Sequence, residues 1–281
     1  KDLMHVRYSY LQEQFADPGA ILGEIRQLVM SGDFTLGAQV TEFEAKFAQL
    51  IGTKFAIGVN SGTDALMLGL KALGVGHGDE VITAANTFIA TAGAIKALGA
   101  RPVFVDVTPY YTLDLNQVED AITDRTKAIM PVHLTGEPVD MDVLMAISEK
   151  RGVAVAEDAC QAILSEYDGR KAGTFGAVAG FSLHPLKNLN VWGDAGVIVT
   201  DSEEIDRQLR LLRNHGLSSR DEIEVMGYNS RLDTLQAIVG SWLIEQVHEI
   251  TDKRIENASV YDRAFAELEG EIALPTRREN V

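Results

Sequence analysis

A single cysteine, Cys160, occurs in 281 residues. That excludes an internal disulfide framework and any zinc site built from clustered cysteines. Basic residues are scarce as well: 25 Lys and Arg stand against 41 Asp and Glu, giving a formal net charge of −16. A field of that sign repels phosphate backbones and anionic lipid surfaces, so general nucleic-acid and membrane-surface binding are disfavoured. It still admits a small phosphorylated ligand, because a local nest of backbone N–H groups overrides the net charge. Long apolar runs are missing too. The most apolar stretch, Phe88 to Ala100, is interrupted by Lys96 and falls short of the roughly 18 apolar residues a membrane span needs. The opening Lys1-Asp2-Leu3-Met4-His5 does not read as a signal peptide. The histidines His5, His77, His133, His184, His215 and His248 are scattered, so no metal site is expected. The expectation is a soluble, acidic, cytoplasmic protein.

What is present is a globular composition, 46% hydrophobic and 23% charged, without repeats or low-complexity tracts. Helical periodicity marks Ile21–Met30 and Val40–Leu50. Short apolar runs then alternate with helical stretches. Strands are predicted at Phe55–Val59, Val81–Thr83, Pro102–Asp106, Lys127–Val132 and Val153–Glu157. Helices are predicted between them at Asp64–Leu73, Phe88–Leu98, Leu115–Ile122 and Val139–Arg151. Further strands fall at Val178–Ser182 and Val197–Thr200, and further helices at Ser202–Arg213, Leu232–His248 and Asp252–Glu269. Apolar strands at this spacing predict an α/β fold, a mostly parallel sheet sandwiched by helices. Residues 1–250 read as one large domain, and 251–281 as the start of a small C-terminal domain that is mostly absent from the chain.

Ligands of parallel α/β sheets bind beyond the carboxyl ends of the strands. Ser61-Gly62-Thr63 falls there, between a strand and a helix. Gly62 permits close backbone approach and the helix start offers N–H groups to an anion; a plain helix cap explains the same residues. Asn86, Thr87, Asp106 and His133 stand at other strand ends. Asp158 ends an apolar strand, where a carboxylate needs a cation, a metal or several donors. It suits a protonated heterocycle nitrogen, and a structural ion pair or cap suits it equally. Cys160 reads as a small buried filler. Lys187 sits between an apolar strand and the glycine-bearing loop 193–196. A lysine in apolar surroundings loses its proton and attacks an aldehyde, although a solvated loop lysine is the commoner fate. An anion site at a helix start, then Asp, then Lys: these are the parts that pyridoxal phosphate requires for its phosphate, ring nitrogen and aldehyde.

Four segments in order carry a resemblance: Asn60-Ser-Gly-Thr-Asp-Ala-Leu66, Glu157-Asp-Ala-Cys-Gln161, His184-Pro-Leu-Lys-Asn188 and Gly227-Tyr-Asn-Ser-Arg-Leu-Asp233. With Gly32-Asp-Phe-Thr-Leu-Gly37 and Phe43-Glu44, the chain resembles the DegT/DnrJ/EryC1/StrS family from about Leu11 to Ser241. These are pyridoxal-phosphate-dependent sugar aminotransferases of fold type I. The resemblance implies that Lys187 binds the cofactor aldehyde and relays protons, and that Asp158 pairs with the pyridinium nitrogen. It implies Gln161 near the ring's phenolic oxygen, Phe88 stacked on the ring, and Gly62, Thr63 and Ser182 on the phosphate. Asn229 would reach the phosphate of a neighbouring subunit, making the active unit a homodimer, and His184 would border the site.

The implied reaction moves an amino group from L-glutamate to a nucleotide-linked keto-sugar. Gly193-Asp-Ala-Gly196 is closer to the subgroup that aminates a C3 ketone than to the C4 subgroup. Ser218-Ser-Arg-Asp221 departs from the basic-aromatic segment often found there. Two alternatives stand: a nucleotide-sugar dehydratase, in whose relatives a histidine replaces the lysine, and a non-catalytic cofactor-binding or regulatory protein.

Overall fold

The computed structural model describes residues 6–266, 268 and 271–281; Glu269, placed in the last helix from sequence, lies outside them. A helical turn α1 (Leu11–Gln14) precedes α2 (Gly19–Ser31) and α3 (Ala38–Ile51). The alternation follows as β1 (Phe55–Val59), α4 (Gly62–Ala72), β2 (Glu80–Ala84), α5 (Ile89–Ala97) and β3 (Arg101–Val105). It continues as α6 (Leu115–Ala121), β4 (Thr126–Met130), α7 (Met141–Arg151) and β5 (Ala154–Asp158). A ribbon of β6 (Glu166–Tyr167) and β7 (Arg170–Lys171) leads to β8 (Val178–Ser182), β9 (Gly196–Thr200) and α8 (Glu203–Arg213). A second ribbon, β10 (Leu217–Ser219) with β11 (Glu222–Ile223), precedes α9 (Thr234–Ile244) and α10 (Val247–Ala266).

Seven strands form one sheet in the order β1-β9-β8-β5-β4-β2-β3. Only β9 runs against its neighbours, pairing antiparallel with both β1 and β8. The other pairings, β8 with β5, β5 with β4, β4 with β2 and β2 with β3, are parallel. Successive residues of a strand face opposite sides. Ala56, Ala179, Phe181, Val197 and Val199 pack on one side with α2, α3 and α9. Ile57, Val178 and Ile198 pack on the other with α4, α5 and α8. Helices therefore cover both faces, and the parallel strands deliver their carboxyl ends to one edge.

Caps explain most differences from the expected boundaries. Asp140 accepts the Val143 N–H at 3.1 Å, so α7 begins at Met141 and not at Val139. Ser202 caps α8 in the same way. The single helix expected over Leu232–His248 is two. The apolar α9 is buried under α2 and α3 and ends at Ile244, where Gln246 N–H turns back to the Leu243 carbonyl; the polar α10 then leaves along the surface. Among the described residues, no helix is long and apolar enough to cross a membrane.

Candidate active site

At the sheet's carboxyl edge, β1 passes into α4 through Ser61. Ser61 is extended and accepts the Asp64 N–H at 3.1 Å, so the cap reading of this residue holds. The cap leaves the first-turn N–H groups of Gly62 and Thr63, which have no intrahelical carbonyl to meet. Gly62 presses against the end of β8: a Cβ there would lie 2.7 Å from Ser182 Cβ and 3.0 Å from its Oγ. From β9, Gly196 packs on the same turn, where a Cβ would come within 2.3 Å of the Ser61 carbonyl oxygen. Two absent side chains thus bring a helix start, with its partial positive charge, against two strand ends. Ser230 fixes the far side of this turn, donating to Asp64 Oδ2 at 2.6 Å. The Gly62 and Thr63 N–H groups and the Thr63 and Ser182 hydroxyls are the donors this turn can offer to a small anion.

Asp158 is the last residue of β5 and is 5% exposed. Its Oδ2 accepts the Thr91 hydroxyl at 2.7 Å, and its Oδ1 the Cys160 N–H at 3.2 Å. None of the ion pairs among the described residues includes it. Its two oxygens meet neutral donors, and the nearest cationic group, Lys187, is close enough to feel its field without pairing with it. Glu157, on the opposite face, is satisfied within the protein. It meets His133 Nε2 at 3.1 Å and accepts the N–H groups of Gly173, Phe175 and Gly176 at 2.7–2.8 Å. Burial pushes its carboxyl upward, but His133 and these N–H groups prevail and hold it below the ordinary range. Burial of its sulfur and the nearby Asp158 push the Cys160 thiol well up, although the residue as a whole is half-buried and not the fully buried filler expected.

Lys187 rides the loop joining β8 to β9. The loop is pinned at its base by the Ser182–Gly196 pairing and by Leu183 N–H to the Ala195 carbonyl. Buried Asn190 donates to the Lys187 carbonyl at 2.9 Å, and Trp192 exchanges two hydrogen bonds with the Gln236 side chain. Lys187 Nζ, half-buried, donates to Gln161 Oε1 at 2.8 Å. Burial lowers its pKa from the ordinary lysine value, against the opposing fields of Cys160 and Asp158. Beside it opens a groove of about 570 Å³, walled by Tyr8, Tyr10, Arg254, Asn257 and Tyr261.

Gly62 and Ser182, Lys187 and Gln161, and Asp158 are therefore gathered at one edge. Phe88 caps the start of α5 with its ring 68% exposed, between Thr87 and Thr91. Asn229 is exposed and bridges to Asn214 through the backbone; it is not joined to the cluster. His184 is exposed on the lysine loop, and its Nδ1 accepts the Leu186 N–H. Asp106 stands apart at the end of edge strand β3, accepting the Val107 N–H. Sequence reasoning, which places Thr87 among the strand-end residues, missed Thr91. Thr91 lies in the first turn of α5, where a threonine has an ordinary local explanation, so the sequence carried no signal for it.

The profile of the DegT/DnrJ/EryC1/StrS aminotransferase family matches residues 17–281. The chain belongs to that family. Among relatives of this DegT/DnrJ/EryC1/StrS member, a pleiotropic regulatory protein of Geobacillus stearothermophilus is 41% identical over 273 residues, covering 96% of this chain and 73% of that protein. A UDP-N-acetyl-3-dehydro-alpha-D-glucosamine 3-aminotransferase of Acidithiobacillus ferrooxidans is 49% identical over 220 residues, covering 78% of this chain and 60% of the relative. The chain thus spans 60 to 73% of the length of these two curated relatives. The crystal structure of NtdA from Bacillus subtilis with bound cofactor PMP matches at TM-score 0.91 and 34% identity, covering 100% of this chain and 65% of that one.

Proposed function

We propose that this family member is a pyridoxal-phosphate-dependent aminotransferase that carries an amino group from L-glutamate to the C3 position of a nucleotide-linked keto-sugar. The observation that carries the reading is the convergence at one edge of a helix start packed on two strand ends, a buried carboxylate outside any ion pair among the described residues and a lysine of lowered pKa. When bound, pyridoxal phosphate supplies an electron sink for the substrate carbon that loses a proton. The N–H groups and hydroxyls of Gly62, Thr63 and Ser182 hold its phosphate. Asp158 would accept the ring N–H, Phe88 would offer its ring as a stacking partner, and Gln161 would serve the phenolic oxygen. Lys187 would be the residue that holds the cofactor through its aldehyde, Nζ condensing there with loss of water, and its free amine would be the base that carries a proton between carbons. All of these groups lie within residues 1–250. The groove beside Lys187, with its tyrosines and Arg254, gives a nucleotide-linked substrate an approach. The active unit is a homodimer in which Asn229 of the partner subunit reaches the phosphate.

Amination at C3 is supported by Gly193-Asp-Ala-Gly196 and by the 3-aminotransferase name of the Acidithiobacillus relative. The regulatory name of the Geobacillus relative favours a second reading, a cofactor-binding regulator. Two steps test them. Borohydride reduction of the cofactor-loaded protein, followed by peptide mapping, should place a phosphopyridoxyl group on Lys187. A panel of nucleotide-linked 3-keto and 4-keto sugars with glutamate should then give 2-oxoglutarate and the 3-amino sugar. Label on another lysine overturns the mechanism. Loading on Lys187 with no response to glutamate or any sugar supports the regulator.

A further inference from the structure

Thr91 is fully buried in the first turn of α5, where a threonine hydroxyl ordinarily bonds back to a carbonyl of its own helix. Here it is turned to the sheet and meets Asp158 Oδ2 at 2.7 Å, while Thr87 Oγ1 lies 2.7 Å behind it. The direction of this chain follows from donor arithmetic. An ionised carboxylate only accepts, so Thr91 donates to it, and the Thr91 oxygen is then left to accept from Thr87. With Cys160 N–H on Oδ1, both carboxylate oxygens are held by neutral donors, and each keeps a further lone pair with which to accept. Phe88, the N-cap of α5, lies between the two threonines in sequence.

We infer that Thr91, backed by Thr87, is a positioning residue: its hydroxyl holds Asp158 as an oriented acceptor for a protonated ring nitrogen. The inference rests on the proposed cofactor reading. It makes the first turn of α5 a single device that sets both the ring's stacking partner and its nitrogen partner.

The test is a titration of apoprotein with two ligands, pyridoxal phosphate and its 1-deaza analogue, in which C–H replaces the ring nitrogen. Thr91→Val keeps the branched shape and removes the hydroxyl; Thr91→Ser keeps the hydroxyl. Thr91→Val should bind pyridoxal phosphate about tenfold more weakly, the worth of a hydrogen bond to a charged group. Its affinity for the deaza analogue should change less than about twofold, and Thr91→Ser should restore most of the loss. A merely structural threonine would weaken both ligands equally. Equal weakening, no weakening or failure of the serine to restore binding overturns the inference. If Thr91→Val does not fold, Thr87→Val serves in its place, with a selective loss of about threefold expected and an unselective one refuting. Wild-type protein that binds neither ligand would refute the cofactor reading itself. Wild-type binding on Lys187 without ligand-selective loss in the variants would refute only the role of Thr91.

Discussion

Replacing Gly62 by alanine tests the cradle directly. At an unobstructed helix start, the change would stabilise the protein by about 0.4–1 kcal/mol, because alanine restricts the unfolded chain. The backbone here does not require glycine for its conformation, since Gly62 is absent from the positive-φ residues. The obstruction is packing: the new methyl would lie 2.7 Å from Ser182 Cβ, against a normal carbon–carbon separation of about 3.5–4.0 Å. Ser182 Cβ is fixed to the β8 backbone and cannot rotate aside, so the helix start or the strand end must move by roughly 1 Å. Overpacking of this kind costs about 1–3 kcal/mol. The net expectation is a loss of about 1–2 kcal/mol, read as a fall of roughly 2–8 °C in the apoprotein's Tm by circular dichroism. The same displacement should weaken pyridoxal phosphate binding in an apoprotein titration. A double-mutant cycle with Ser182→Gly should recover about 1 kcal/mol of the loss, since it removes the 2.7 Å contact and leaves only the tighter-than-usual 3.1 Å approach to the residue-182 Cα. A Gly62→Ala protein as stable as wild type, or more so, with undiminished cofactor affinity would show that no tight cradle exists.

Asp158→Asn should keep its cofactor yet lose most turnover, because an amide cannot hold the ring nitrogen protonated; activity within a few-fold of wild type would make Asp158 structural. Glu157, whose folded pKa lies below its ordinary 4.5, contributes stability that is present above that value and lost as pH falls through the folded pKa. Glu157→Gln should therefore cost about 3 kcal/mol near neutrality and progressively less under acid; urea midpoints showing the same gap at roughly pH 7 and pH 3.5 would refute the assignment. Asn229→Ala should weaken cofactor retention, and loading wild-type protein should shift dissociation of the dimer to lower concentration in sedimentation. Apo and holo forms that dissociate at one concentration would rule out a shared site.

Strands buried on both faces were legible because they leave short apolar runs between polar punctuation. Phe55–Val59 and Val178–Ser182 stand at the expected bounds. The two-residue strands β6, β7 and β11 are too short to leave a pattern. The reversal of β9 was not legible either, since its apolar run reads the same in both directions. Helix ends depended on caps such as Asp140, whose role emerges only with its partner N–H. Lys187, Asp158, Gly62 and Ser182 were candidates because a polar or minimal residue closing an apolar strand needs a reason. Thr91 gave no such signal: a threonine at a helix start has an ordinary local explanation, and only the approach of β5 reveals another. Glu157 and Asp158, adjacent in sequence, divided their tasks because a strand turns successive side chains to opposite faces.

The lone reversed strand bears on when a nascent chain first becomes able to hold its cofactor. β1 has one neighbour, β9, which is synthesised long after it, and the cradle at Gly62 is walled by residues from β8 and β9. While translation proceeds, the first strand and the helix start behind it wait without a partner, and non-local pairings of this kind form slowly. A ribosome-bound chain arrested before residue 196 should be unable to retain pyridoxal phosphate at any concentration that the finished chain would need. Retention by such an arrested chain would refute this reasoning and make the first half of the protein sufficient to hold the cofactor.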